Sequence, residues 1–248
     1  MKRYTAYDNF AWLYDRDFTD FARAIFPFLK NMAGDRLPDG AKVLDVCCGT
    51  GQLAKILTDN GYNVTGVDGS RQMLKIARTN APDARFITAD ARSFRLPAEY
   101  DAVFSTFDAL NHIMSLEELQ QVFVNVSRCL RKGGIFIFDL NTEYLFENNW
   151  KSLQQIREAP DCLYTVQADY KKEERLGEFN CSIFRRKARG WQRTNINLTE
   201  RYYPPAEVKK ALKQSGFKNI REYSITRERG LHIPLRNSLK IFYMAVKR

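Results

Sequence analysis

The chain has 248 residues and, with 39 Lys+Arg against 29 Asp+Glu, a formal net charge of +10. A hydrophobic share of 44% is ample for a packed core, which excludes a wholly disordered chain, and no apolar run approaches the ~20 residues that cross a bilayer. The surplus charge sits after residue 150: residues 1–150 net −2, residues 151–203 net +4 and residues 204–248 net +8.

In chain order, the opening Met1-Lys2-Arg3-Tyr4 lacks the apolar stretch of a signal peptide. Residues 17–33 read as an amphipathic helix, with Phe18, Phe21, Ala22, Ile25, Phe28 and Leu29 returning every three or four positions. The run 42–48 reads as a buried strand that enters the Gly-rich turn Gly49-Thr50-Gly51. Residues 52–60 form the next helix, 63–68 a strand, 70–79 a helix and 84–88 a strand. Residues 100–106 give a strand, 116–130 a helix, 131–134 a tight turn and 135–139 a fifth strand. Apolar strands alternating with helices predict a doubly wound, mostly parallel α/β sheet covered on both faces.

After residue 160 the period changes to two. Residues 163–172, 178–187 and 192–202 alternate apolar with polar and predict an antiparallel meander. Pro204-Pro205 starts a helix through Ser215. Strands follow at 218–226 and 238–246, joined by a loop over 227–237. Five cysteines, 47, 48, 129, 162 and 181, form no CxxC and are an odd number, which points to reduced thiols and a cytoplasmic chain. Basic residues after 150 raise a nucleic-acid partner as one reading and a solvated surface as the other.

Gly49-Thr50-Gly51-Gln52-Leu53-Ala54 fits G-x-G-x-x-G/A, where glycines permit a tight turn and the following helix offers free N–H groups. Asp68 lies 23 residues after Asp45, at the end of the next strand, where a carboxylate suits a ribose diol. Val43-Leu44-Asp45-Val46-Cys47-Cys48-Gly49-Thr50-Gly51 resembles the first motif of the class I S-adenosylmethionine-dependent methyltransferases. Four further stretches are similar to that family's motifs in the same order: 67–77, Ala89-Asp90-Ala91-Arg92, Tyr100-Asp101-Ala102-Val103 and Leu130-Arg131-Lys132-Gly133-Gly134.

The resemblance implies S-adenosyl-L-methionine as cofactor, with S-adenosyl-L-homocysteine as its product. It implies a seven-stranded sheet whose last strand is reversed, with a small antiparallel sheet inserted after strand five. One domain would span 1–248: a helical cover over 1–36, a cofactor-binding core over 37–145, a lid sheet over 160–203 and the last core elements over 204–248. By the same resemblance Asp45 holds the cofactor ammonium, Gly49 and Gly51 clear space for its methionine part, and Cys48, Thr50 and Gly69 line the loops. Asp68 takes the ribose hydroxyls, Asp90 the adenine amino group, the Ala91 and Arg92 backbone frames the ring, and Met73 packs on it.

The acceptor side begins at Ser105-Thr106-Phe107-Asp108-Ala109-Leu110-Asn111-His112, with Phe107 beside the cofactor and His112 as candidate base. Residues 7–15 resemble the stretch that covers the cofactor in small-molecule members, which makes Tyr14 a candidate catalytic contact; Phe10, Tyr14 and Phe18 also fit a core stripe. The layout is similar to sugar-amine N-methyltransferases. The implied activity is methyl transfer to nitrogen or oxygen of a small molecule, with no metal, no membrane and no nucleic-acid partner. The alternatives are an RNA methyltransferase using the basic C-terminal third and a non-catalytic protein of the same fold. Tyr164, Tyr170, Phe179, Trp191, Tyr202 and Tyr203 could wall a pocket or build a homodimer surface.

Overall fold

In the computed structural model, which describes residues 4–226 and 228–248, the chain builds two sheets. The core alternates β1 (Lys42–Val46), α3 (Gln52–Asp59), β2 (Asn63–Asp68), α4 (Arg71–Asn80), β3 (Arg85–Thr88), β4 (Tyr100–Ser105), α5 (Leu116–Cys129) and β5 (Leu130–Asn141). Ahead of it lie α1 (Thr5–Asp17) and α2 (Asp20–Ala33); after it come a short α6 (Glu143–Leu145) and the strands β6 (Leu153–Ala159), β7 (Cys162–Lys171), β8 (Leu176–Lys187) and β9 (Gly190–Arg201). The chain closes with α7 (Pro205–Gln214), β10 (Phe217–Thr226), β11 (Gly230–His232) and β12 (Lys240–Lys247).

The large sheet has the order β11-β10-β12-β5-β4-β1-β2-β3. Strands β1 to β5 pair in parallel, and β12 runs antiparallel between β5 and β10. The reversed last strand is as expected. The eighth strand is an addition: β11 pairs with the end of β10 inside the segment expected to be a loop. The central strands are buried on both faces, which is why they read as continuous apolar runs. Val43, Ala102, Ile135 and Ile137 pack toward α2 and α3, whereas Leu44, Val103, Phe136 and Phe138 pack toward α5 and α7.

Pairing of β4 with β5 jumps from Tyr100↔Leu130 to Ala102↔Ile135, so residues 131–134 loop out around Gly133 at φ 81°. The expected tight turn is therefore an irregularity inside one strand, and pairing resumes where the sequence placed the strand's start.

The second sheet, β6-β7-β8-β9, is four-stranded rather than a three-stranded meander. Strand β7 alternates buried and open residues along its length, and Cys162, Tyr164 and Val166 join Cys181, Ile183 and Ile196 against Phe10, Ala11 and Leu13 of α1. Helix α1 is thus held between the small sheet and α4. Asp8 ties it to α4: its Oδ1 accepts from Ser70 Oγ at 2.6 Å and from the Gln72 N–H at 3.1 Å. A carboxylate there also satisfies the positive end of α4. Ser115, followed by Glu118, caps α5 by accepting the Glu118 N–H at 3.1 Å. No helix among the described residues is long and apolar enough to cross a membrane, and all five cysteines are free.

Candidate active site

The carboxyl ends of β1, β2 and β4, the N-terminal part of α1 and the inner end of the small sheet enclose a cavity of about 600 Å³. That falls within the usual range for a small-ligand site. At one end it meets Gly49, Asp68, Gly69, Met73, Asp90, Ala91 and Arg92; at the other, Asp108, His112, Asn141, Glu200 and Lys240. Tyr14 and Phe107 stand between this cavity and a second, narrow one of about 20 Å³ that holds Asp45 and Cys48. Every residue assigned from sequence to the cofactor or to catalysis borders one of the two cavities except Thr50 and Gly51. Thr50 is fully buried and its carbonyl accepts from Asn80 at 2.8 Å. Gly51 starts α3 at φ 83°, and a Cβ there would lie 3.0 Å from that of Ala77. It clears space for α4, not for a ligand.

Asp68 organises the first end. Its Oδ2 accepts from the Gly49 N–H at 2.9 Å and its Oδ1 from the Ser70 N–H at 2.8 Å. Burial lifts its pKa above the ordinary value despite these donors. Arg92 grips Asp90 through two bonds, Nε to Oδ1 at 2.8 Å and Nη2 to Oδ2 at 2.6 Å. Burial opposes ionisation of Asp90, but Arg92 outweighs it and brings the carboxyl to about 2. Tyr4 also bonds Asp90, and its ring lies over Gly69, where a Cβ would fall 2.1 Å from it. The Tyr14 ring covers Gly49 in the same manner, 3.3 Å from a Cβ placed there. Two tyrosines of the N-terminal segment thus rest on the two glycines that a cofactor would approach.

Asp45 is the outlier. It is 2% exposed, its Oδ2 has no partner, and burial together with the Asp68 charge pushes its pKa up to about 8. An orphaned buried carboxyl oxygen of this kind fits a cationic group brought by a ligand.

At the second end, Phe107 and Asp108 follow β4 with φ values of 65° and 53°. Both backbone N–H groups are held by the fully buried Asp139, at 2.6 and 2.9 Å. Lys240 Nζ bonds Asp139 at 2.9 Å and also bonds Asp108. Burial acts against every charge here. Lys240 nonetheless holds Asp108 below its ordinary value, and the two carboxylates hold Lys240 above its own. His112 Nδ1 lies 3.0 Å from the Thr199 carbonyl, so that nitrogen carries the proton. Burial lowers its pKa and favours the neutral ring. The other nitrogen faces Glu200 Oε1 at 3.7 Å. Glu200 is 3% exposed and accepts from Asn141 Nδ2 at 2.7 Å.

Asn111, in the same loop, is structural: its side-chain amide bonds the Arg201 carbonyl and the Asn141 N–H at 2.8 and 2.9 Å. His232 borders neither cavity and contacts the Ile233 carbonyl at 2.7 Å. Of the sheet aromatics only Phe179 reaches the cavity, while Tyr170 stacks on Phe146 and Trp191 is 56% exposed. Sequence reasoning did not find Tyr4, Asp139, Asn141, Glu200 and Lys240. Glu200 has one readable sign: it shares the inward parity of Ile196 and Leu198 along β9.

The family described as methyltransferase domain matches residues 43–134. The dTDP-3-amino-3,4,6-trideoxy-alpha-D-glucopyranose N,N-dimethyltransferase of Streptomyces venezuelae is 31% identical over 111 residues, covering 45% of this chain and 47% of that enzyme. The matched stretch thus spans about half of that relative's length. An S-adenosylmethionine-dependent methyltransferase from Clostridium acetobutylicum ATCC 824 superposes with a TM-score of 0.81 at 23% identity, over 97% of this chain and 98% of that one. CalS10 of Micromonospora echinaspora, an amino pentose methyltransferase solved with its cofactor bound, gives a TM-score of 0.70 at 20% identity, over 94% and 92% of the two chains.

Proposed function

We propose that this chain, whose residues 43–134 match the methyltransferase domain family, is an S-adenosylmethionine-dependent methyltransferase that methylates a nitrogen or oxygen of a small-molecule acceptor. One observation carries the reading. A single cavity joins the Asp68 and Asp90 carboxylates to the polar cluster around His112, under the cover of α1 and the small sheet. It has room for a nucleoside-sized group and a small acceptor side by side. The basic side chains among its lining residues are Arg92 and Lys240, and each is bonded to carboxylates. A track for a nucleic-acid backbone would need cations that are not already neutralised.

The residues fit the cofactor. Asp45 would take its ammonium group, Asp68 its ribose hydroxyls and Asp90 the amino group of its base, with Gly49 and Gly69 leaving room for close approach. When bound, S-adenosylmethionine supplies a methyl group on a cationic sulfur, so positioning the acceptor accounts for most of the catalysis. His112 presents its unprotonated nitrogen to the acceptor end, where it can receive a proton. Burial raises the Tyr14 pKa, so its hydroxyl stays protonated. Tyr14 would therefore serve as a donor and a wall, not as a base. Calorimetric titration of the pure protein with S-adenosylhomocysteine should show one-to-one binding; no heat and no competition by S-adenosylmethionine would overturn the proposal.

Asp45 makes that binding depend on pH. The free protein holds a proton on Asp45 until about pH 8, whereas an ammonium group needs the carboxylate. Binding therefore expels the proton, and affinity should climb by up to roughly tenfold per pH unit between about 6 and 8, then level off. Titrations in two buffers of unlike ionisation heat should report up to about one proton released at pH 7, and Asp45→Asn should abolish that release. Without ligand the sign is opposite. A raised carboxyl pKa adds stability that is full below its ordinary 3.8 and is lost as pH rises through about 8.

A further inference from the structure

The groups that face the acceptor end of the cavity do not offer a balanced mixture of donors and acceptors. Asn141 is 4% exposed; its Nδ2 is spent on Glu200, and its Oδ1 has no partner. The protonated nitrogen of His112 is spent on the Thr199 carbonyl, which leaves a bare ring nitrogen 3.7 Å from Glu200 Oε1. Asp108, His112 and Glu200 bring one acceptor atom each within 4.8 Å of one another. The nearby donor, Lys240, is committed to Asp108 and Asp139. With His112 neutral, three carboxylates face one ammonium group. Among the described residues no cation bonds Glu200 directly; its carboxyl shares a hydrogen bond with Asp108, and burial and the Asp108 charge outweigh the pull of Lys240 and raise its pKa well above the ordinary value.

We infer that the acceptor subsite takes a protonated amine rather than an alcohol, with Glu200 and Asn141 as the residues that anchor its nitrogen. The inference rests on the methyltransferase reading and narrows its acceptor to nitrogen. An ammonium group carries up to three N–H donors and one positive charge, which the carboxylate of Glu200, Asn141 Oδ1 and the bare nitrogen of His112 complement. A hydroxyl carries one donor and no charge, so it would leave buried acceptors unsatisfied.

The proton has a defined route. An ammonium nitrogen has no lone pair, so it must lose a proton before it can accept a methyl group. Glu200 takes it, R–NH₃⁺ and –COO⁻ becoming R–NH₂ and –COOH. Both charges vanish inside a buried site, which matches a carboxyl whose surroundings favour its neutral form. The bare His112 nitrogen, 3.7 Å from Oε1, can then receive that proton.

The test uses the full chain saturated with S-adenosylhomocysteine, so that cofactor binding is scored separately, and two matched probe pairs: cyclohexylamine with cyclohexanol, and methyl 3-amino-3-deoxyglucoside with methyl glucoside. Ligand-observed NMR should show each amine binding at least tenfold tighter than its alcohol. Glu200→Gln should erase that preference, leave S-adenosylhomocysteine affinity unchanged, and remove the rise of amine affinity with pH that a carboxyl of raised pKa imposes. Asn141→Leu should weaken amines without affecting alcohols. Equal binding of amine and alcohol, no amine binding, or a preference that survives Glu200→Gln overturns the inference. So does tight binding of Mg²⁺ or Zn²⁺ that Glu200→Gln abolishes, since the three ligand atoms would then be a metal site. Loss of S-adenosylhomocysteine binding by the unmodified protein would instead sink the methyltransferase reading.

Discussion

Lys240→Met should destabilise the protein by about 3–5 kcal/mol, because it strips the cation from two buried carboxylates. Lys240 is the first residue of β12, where it pairs with Asn141, and its Nζ reaches both Asp139 and Asp108. Asp139 is fully buried, and burial already drives its pKa upward against the pull of Lys240. Without Lys240, Asp139 and Asp108 must share the space as like charges or take up protons. For a chain of this length each kcal/mol lowers the melting temperature by roughly 2–4 °C, so a fall of roughly 10 °C is expected by calorimetry. The damage should also spread to the acceptor end, because Asp139 holds the Phe107 and Asp108 N–H groups in their left-handed conformation. Adding Asp108→Asn to the Lys240→Met chain should recover part of the loss, since one of the two uncompensated charges is gone. Full stability of the single variant would show that the three groups are not coupled as the distances require.

The difference between what the sequence disclosed and what it concealed follows from distance along the chain. The cofactor end is built where each strand runs out into its loop: Cys47 to Gly49 after β1, Asp68 and Gly69 at the end of β2, Asp90 to Arg92 just beyond β3. A strand, a tight turn and a helix leave a local pattern of apolar runs, glycines and carboxylates, so these positions could be read in order. The acceptor end is assembled differently. Glu200 meets Asn141 across 59 residues, and Lys240 meets Asp139 across 101. Each sits in a strand with no turn or glycine motif beside it to mark it, and only the closure of the sheets brings them together.

The two unexpected strands were hidden for another reason. All residues of β6 between its ends are exposed, so it carries no alternation, and it exists because its backbone pairs with β7. Strand β11 has three residues and forms on the end of β10. Neither has an apolar face of its own to announce it. The basic character after residue 150 also changes meaning. Arg185, in the densest basic run, lies 4.0 Å over the Trp12 ring and helps fasten the small sheet to α1. Part of the charge surplus is spent on packing.

Asp68→Ala should weaken S-adenosylhomocysteine binding by roughly 100-fold, about 2.7 kcal/mol, a typical loss for hydrogen bonds to a charged acceptor in a partly buried site. Two effects combine. The carboxylate would no longer be available to the ribose hydroxyls. The Gly49 N–H and the Ser70 N–H would also lose their tether, so the loop after β1 and the start of α4 would no longer be held in register. Asp68→Asn separates them. Its amide oxygen can keep one backbone donor, while its NH₂ group opposes the other, so a smaller loss of roughly tenfold is expected. Removing the Asp68 charge should also bring the Asp45 pKa down, because that charge is the second cause of its rise after burial. The pH dependence of binding in Asp68→Asn should therefore level off at a lower pH than in the unaltered protein. Calorimetric titration across pH, with thermal unfolding as the control for folding, reads all three effects. Unchanged affinity in Asp68→Ala would remove Asp68 from the cofactor site. An unshifted pH dependence in Asp68→Asn would mean that Asp45 is raised by burial alone.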